Sequence, residues 1–192
     1  HAQKACDAAV DMIQQLTPLD EKWSAACGFP LRIGIGINTG NARVGNAGSR
    51  RRMKYGPLGH TVNLASRLEG VTKTIAVPIL VTEATRSQLV DQQRTRRLCR
   101  VLAFGMESPV PIYEYRVRDG NADSKWEQLR IEYERAFARY EQMEFAAAKE
   151  IAETLLTVDA SDEPTKFLIE RIEKAESATP ESFDPILHMT SK

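Results

Sequence analysis

The chain has 192 residues, 42% of them hydrophobic and 27% charged, with 26 Lys and Arg balancing 26 Asp and Glu. That composition excludes disorder, a collagen-like repeat and a disulfide scaffold, and the length suits one domain or a small domain with an extension. No apolar run approaches the roughly 20 residues that a membrane-spanning helix needs, so no membrane segment is expected in this stretch.

The first residue is His1, and the opening stretch lacks the apolar centre and cleavage site of a signal peptide, so the chain reads as a fragment. Ala5, Cys6, Ala9, Val10, Ile13 and Leu16 recur at three- and four-residue spacing, which predicts an amphipathic helix ending before Pro18. Cys6, Cys27 and Cys99 are odd in number and widely spaced, matching no metal-ligand pattern. They imply reduced thiols in a cytoplasmic compartment and no zinc site.

Leu31, Ile33, Ile35 and Ile37 alternate with Arg32, Gly34, Gly36 and Asn38, predicting a strand with isoleucines on one face and a glycine face that lets something approach closely. A second short strand at Ala42 to Gly45 is expected to pair with it through Thr39, Gly40 and Asn41 as a hairpin. After a turn at Gly48 and Ser49, the run Gly56, Pro57, Leu58, Gly59 reads as a loop before a new helix. Thr61 is the expected N-cap of that helix and Gly70 its end. Asn63 and Arg67 lie four apart on it, so an amide and a guanidinium share one face. Taken alone, such a pair is usually a plain polar helix face.

Ile75 to Val81, interrupted by Pro78, predicts an edge or irregular strand, and Thr82 is expected to cap a helix carrying Ala84, Leu89 and Val90. Leu98 to Phe104 and Pro111 to Val117 read as two further strands. The interleaving argues for an α/β or α+β sheet layered with helices. Neither G-x-G-x-x-G nor a Walker-type Gly-Lys-Ser/Thr is present, which removes support from Rossmann and P-loop folds.

The polar run Arg118, Asp119, Gly120, Asn121 suggests a boundary, giving a first part at 1–119 and an extension at 120–192. The first part holds 17 Lys and Arg against 10 Asp and Glu, and the second holds 9 against 16. Basic clusters at Arg50, Arg51, Arg52, Lys54 and at Arg94, Arg96, Arg97, Arg100 suit phosphate, nucleic acid or a partner surface. No aromatic residues interleave them as base stacking requires, so a solvated or partner-facing surface is favoured and no nucleic acid is expected.

In the extension, Trp126, Leu129, Tyr133, Phe137 and Tyr140 trace one helical stripe and Phe145, Ala148, Ala152, Leu155 and Leu156 another. A third helix is expected from Asp162, with Pro164 in its first turn and Phe167, Leu168, Ile172 and Ala175 buried. The first two helices are faintly similar to a single tetratricopeptide repeat. Residues 183–192 read as an irregular strap pinned by Phe183 and Leu187. A solvated charged face is the favoured reading for most of the acidic residues of the extension, with docking on its basic neighbour or on a dimer mate as the alternative.

The run LRIGIGINTGNARVGNAGSRRRMKYGPLGHTVNLASRLE, Leu31 to Glu69, resembles the catalytic domain of class III nucleotidyl cyclases, with the most specific stretch from Gly59 to Glu69. The likeness covers about residues 1–117. It implies a ferredoxin-like palm sheet of the cyclase type covered by helices. It also implies formation of 3′,5′-cyclic AMP and pyrophosphate from ATP in intracellular signalling, with GTP as the alternative substrate. Within the family an Asn in the place of Asn63 contacts the ribose region and an Arg in the place of Arg67 stabilises phosphate charge. The Mg or Mn ions of the family are held by two aspartates upstream of the segment matching His1, so this sequence is expected to hold no metal ligands. The family works as a dimer with sites at the interface, commonly under an upstream sensor domain. This fragment therefore resembles half of each site and is expected to be inactive alone.

Three departures follow from the resemblance. Gly56 stands where purine-selecting relatives often carry Asp or Thr, so no side chain reads the base there. The family's adenine-reading lysine should fall near Leu102 to Gly105, where no cation stands; Arg97 or Arg100 are the available substitutes. His60 replaces a common Asp or Asn and is expected to be structural. The competing readings are a noncatalytic cyclase-like dimerisation or regulatory module and a repeat-type interaction module.

Overall fold

The computed structural model describes residues 1–49, 52–102, 106–117 and 123–189. Helix α1 spans Ala2–Cys27 and buries Ala2, Cys6, Ala9 and Val10, the spacing read from the sequence. Pro18 lies inside it and does not end it. A proline removes one backbone donor, but Leu19 to Cys27 contains no further proline and no glycine, so the helix continues to Gly28. The chain then returns along α1, and the Leu31 amide donates to Asp20 Oδ1 at 2.6 Å.

Strand β1 is short, Ile35–Ile37. Ile35 and Ile37 pack into one core cluster, while Gly34 and Gly36 turn toward helix α2, His60–Ile75. A Cβ on Gly36 would stand 2.4 Å from the Ala65 carbonyl and 2.5 Å from the Glu69 amide. The partner that the glycine face admits is thus this helix. Strand β1 has no hairpin partner in β2 (Arg43–Ser49), which instead pairs antiparallel with β3 (Arg52–Leu58), Gly45 opposite Gly56. The expected loop at Gly56 to Leu58 is therefore strand, and Pro57 is tolerated because a two-stranded ribbon has only edges. Gly48 and Ser49, expected as a turn, are the last residues of β2, and only glycine suits position 48, where φ is +120° and a Cβ would sit 2.1 Å from the Arg52 carbonyl oxygen.

Gly59 precedes α2 without any side-chain cap, and Thr61 is no cap: its hydroxyl donates to the Asn41 carbonyl at 2.7 Å. Gly70 does not end the helix either. An internal glycine costs only about 1 kcal/mol, and buried Val71, Thr72 and Ile75 hold the last turns on the sheet up to Ala76, φ +57°. Strand β4 (Ile79–Thr82) is wholly buried between β1 and β6, so the edge position expected from Pro78 is corrected. Pro78 stands just before the strand, where its missing amide is not required, and its carbonyl accepts from the Ile35 amide at 2.8 Å. Helix α3 is a single turn, Glu83–Arg86, and Thr82 makes no cap bond to it. Leu89 beyond it is buried, whereas Val90 is 90% exposed.

Strands β5 (Thr95–Leu102) and β6 (Val110–Tyr115) complete an antiparallel pair, and β7 (Ile186–His188) adds a parallel edge to β5. The sheet order is β1-β4-β6-β5-β7, with β1 and β4 parallel across the α2 crossover. Helices α4 (Asp123–Glu141), α5 (Phe145–Val158) and α6 (Glu163–Glu176) follow the expected stripes. Asp162 caps α6, its carboxylate accepting from the Thr165 amide at 3.2 Å, with Pro164 in the first turn. The strap is more regular than expected, because residues 186–188 join the sheet, while Phe183 and Leu187 pack on the core. Arg50, Arg51, Ala103 to Gly105, Arg118 to Ala122 and Thr190 to Lys192 lie outside the described residues.

Two hydrophobic clusters flank the sheet. Under α1 lie Ile79, Val81, Leu89, Tyr113 and Tyr115. On the other face, Leu68, Val71 and Ile75 of α2 share one core with Leu80, Leu98, Ile112, Tyr133, Phe137, Leu168 and Ile172. The alternation of Ile79, Leu80 and Val81 between these clusters is the strand period of two.

The basic cluster on β5 faces this helical layer. Arg96 is 1% exposed and meets Glu114 at 2.5 Å and Asp162 at 2.8 Å, stacked on Tyr133 and Trp126. Burial works against its charge, but Glu114 and then Asp162 outweigh that and hold its pKa above the ordinary value. Arg97 and Arg100 both reach Glu141, at 3.1 and 3.2 Å. The solvated or partner-facing surface favoured for this cluster is corrected: Arg96, Arg97 and Arg100 are taken up by carboxylates of this chain, Asp162 and Glu141 of the helical extension among them.

Cys6 and Cys99 are buried and Cys27 is exposed. Burial pushes the Cys6 and Cys99 thiols up to about 11, with Asp7 adding to the effect at Cys6. A thiol reagent at pH 8 should label Cys27 rapidly and the other two only on unfolding, as peptide mapping would show.

Candidate functional site

The long match centres on α2, whose buried side, Leu64, Leu68, Val71, Thr72 and Ile75, fixes the direction of the opposite side. Asn63 is exposed and Arg67 half-buried, one helical turn apart. Neither side chain makes a hydrogen bond or ion pair among the described residues. Glu69, the acid nearest to Arg67 along this helix, is spent on Lys73 at 3.5 Å. Arg67 thus differs from Arg86, Arg94, Arg96, Arg97 and Arg100, each of which has a carboxylate partner. A planar guanidinium held by a helix and left without a counter-ion suits an external anion.

Strand β3, which carries Gly56, ends just before α2 and contacts it. A Cβ on Gly56 or on its pair Gly45 would meet nothing within 4 Å. The two glycines leave an opening in the ribbon where a side chain would otherwise project, and Gly56 itself offers no side-chain donor or acceptor. Around it the ribbon is exposed and partly apolar: Tyr55 is 76% exposed and Val44 and Met53 are each 60% exposed. The face is open, not a closed cleft.

The remaining sequence expectations fall out as follows. His60 opens α2 at the surface, and no bond ties its side chain. Of the segment expected to lack a base-reading cation, Ala103 to Gly105 lies outside the described residues. Arg97 and Arg100 are corrected as substitutes, because Glu141 holds both against the helical layer. Among the described residues, no group of three or more His, Cys, Asp and Glu is placed to hold a metal ion. These residues therefore do not fit a metal centre.

Sequence reasoning missed the loop between β1 and β2. Asn38 Nδ2 donates to the Thr61 carbonyl at 3.0 Å, and the Thr82 hydroxyl donates to Asn38 Oδ1 at 2.7 Å. Thr39 and Thr85 share a hydrogen bond at 3.1 Å. The only signal in the sequence was a run of small polar residues, which also reads as an ordinary turn.

Residues 1–104 match the family model for the adenylate and guanylate cyclase catalytic domain. Adenylate cyclase 1 of Rhizobium meliloti (strain 1021) is 36% identical over 115 residues, 59% of this chain and 17% of that protein. The terminal-differentiation-specific adenylate cyclase of Dictyostelium discoideum is 29% identical over 178 residues, 88% of this chain and 8% of that protein. This chain therefore spans a small part of those relatives. Among solved structures, the adenylyl cyclase CyaB from P. aeruginosa superposes with a TM-score of 0.53 at 33% identity, covering 63% of this chain and 61% of that one. The guanylyl cyclase Cya2 superposes with a TM-score of 0.50 at 31% identity, covering 64% and 61%. No helix among the described residues is long and apolar enough to cross a membrane. With the match spanning more than half of its residues, the chain belongs to the adenylate and guanylate cyclase catalytic-domain family.

Proposed function

We propose that this chain supplies the Asn and Arg half of a composite site at which ATP is cyclised to 3′,5′-cyclic AMP and pyrophosphate, the second half coming from another chain in a dimer. The observation that carries this reading is the pair Asn63 and Arg67, one turn apart on an accessible helix face with no partner among the described residues.

In the reaction, the ribose 3′-hydroxyl oxygen bonds to the α-phosphorus as the bond to the leaving pyrophosphate breaks. Charge builds on the oxygens of the transferring phosphoryl group, where a fixed guanidinium does most for the transition state. Arg67 takes that role. Asn63 holds the ribose, so that the hydroxyl is aligned with the α-phosphorus. Class III cyclases generally use divalent metals; the residues described here do not fit such a site, and we assign Mg or Mn ligands to sequence outside this stretch. Gly56 adds no contact to the base, which leaves GTP as the alternative substrate.

Residues 1–119 form the catalytic portion in this proposal, and 120–192 its docked support. Control by an upstream sensor domain belongs to the same proposal. We place the site on the cytoplasmic side, where nucleoside triphosphate is available. The test is an assay of the purified chain with ATP or GTP and manganese, for which no turnover above blank is expected. Substantial turnover by the chain alone would contradict the half-site reading. A noncatalytic module would give no turnover even when mixed with a family chain that supplies the metal aspartates.

A further inference from the structure

We infer that Asn38 is a positioning residue for the reaction, acting through the first turn of α2, an inference that rests on the reading of Asn63 and Arg67 above. Helix α2 starts at Gly59 with no side-chain cap. Its first turn is therefore placed by bonds from elsewhere in the fold, and these come from residues 38–41 and from the end of β4.

Asn38 is the hub. A carbonyl oxygen can only accept, so the side-chain atom facing the Thr61 carbonyl at 3.0 Å must be the amide nitrogen. That leaves Oδ1 to accept from the Thr82 hydroxyl at 2.7 Å. Thr82 is fully buried at the end of the interior strand β4, so this end of the amide is anchored in the core. A second tie runs from the Thr61 hydroxyl to the Asn41 carbonyl at 2.7 Å. Gly40 packs close beneath, where a Cβ would lie 2.9 Å from Thr61 Oγ1. Below the hub, the Thr85 hydroxyl shares a bond with Thr39 at 3.1 Å and donates to the Ile37 carbonyl at 3.3 Å.

The consequence is a polar linkage from the buried end of β4 through one amide to the turn that precedes Asn63 by two residues. Apolar contacts hold the far side of α2, but they are non-directional and permit small rotations about the helix axis. A hydrogen bond to a first-turn carbonyl restricts such rotation, and a rotation would swing Asn63 and Arg67 together. Misplacement of about 1 Å in a catalytic group can lower a rate by about a hundredfold.

The test compares Asn38→Ala, Asn38→Asp and Thr82→Val in the full 192-residue chain. Asn38→Asp keeps the acceptor for Thr82 and removes the donor to Thr61. Hydrogen exchange of amides 61–64 should quicken by about tenfold in both Asn38 variants, the factor associated with one lost side-chain hydrogen bond. Exchange in the last turn of α2 should not change. Thr82→Val, which frees only the anchored end of the amide, should give a smaller effect of the same pattern. Turnover is read after mixing with a family chain that supplies the metal aspartates. There, kcat should fall with KM unchanged, and the fall should vanish when Arg67→Ala is already present. Unaltered exchange in the first turn, or an Asn38→Ala loss of kcat that persists undiminished in the Arg67→Ala background, would overturn the inference. An Arg67→Ala chain with full turnover would instead overturn the site reading itself, which separates the two failures. Should Asn38→Ala not fold, the Asn38→Asp and Thr82→Val chains decide the same question.

Discussion

Arg67→Ala is expected to lower kcat in a competent dimer by about a hundredfold to a thousandfold while KM changes little, the pattern of a group that acts on developing charge. The reason is local. Arg67 has no partner among the described residues, so its removal strands no carboxylate there and should scarcely alter stability. A Lys at this position should recover only a minor part of the rate, since an ammonium does not reproduce the planar fork that addresses two phosphate oxygens. Steady-state kinetics with ATP, together with thermal unfolding, checks both halves of the expectation. Equal losses in kcat and stability would make Arg67 a structural residue. A raised KM at unchanged kcat would limit it to substrate binding.

Arg96→Met should have the opposite profile, a large loss of stability at a residue remote from the reaction. Arg96 is buried between Glu114 on β6 and Asp162 at the start of α6, within 2.5 and 2.8 Å. Removing the cation leaves two mostly buried carboxylates without their shared partner. Breaking a buried pair of this kind costs about 3–5 kcal/mol, more than a surface pair contributes. Urea unfolding should show the lowered midpoint, and the loss should be smaller when Glu114→Gln and Asp162→Asn are introduced with it, because the stranded charges are then absent. A midpoint shift no larger than that of a surface variant such as Lys166→Ala would show that the ion triad contributes little to holding the helical layer.

Those two arginines also show where sequence reading succeeds and where it stops. Arg67 has no partner among the described residues, whereas Arg96 is held by Glu114 and Asp162, 18 and 66 positions further along the chain. No local pattern encodes that pairing. The helix stripes of α4 to α6 were legible because their apolar spacing is internally consistent. The alternation assigned the correct faces within residues 34–37, Ile35 and Ile37 to one core and Gly34 and Gly36 to α2, whereas Ile33, expected on the same face, is exposed ahead of the strand. Partners were not legible: β2 pairs with β3 and not with β1, and β4 takes an interior position although Pro78 stands just before it. Punctuation misled in the same way at Pro18 and Gly70, where the cost of one poor helix residue is smaller than what the flanking turns gain. At the site, the spacing of Asn63 and Arg67 was readable, whereas the tie from Asn38 depends on three segments meeting in space.

The most direct measurement mixes this chain with a cyclase chain of the same family that keeps its metal aspartates but has lost its own arginine. Each chain then holds the half that the other lacks. Cyclic AMP formation should appear on mixing, rise with the concentration of either chain, and vanish when this chain carries Arg67→Ala. Mixed chains that associate yet form no cyclic nucleotide, or that form it equally well with Arg67→Ala, would contradict the assignment of this helix face to the reaction.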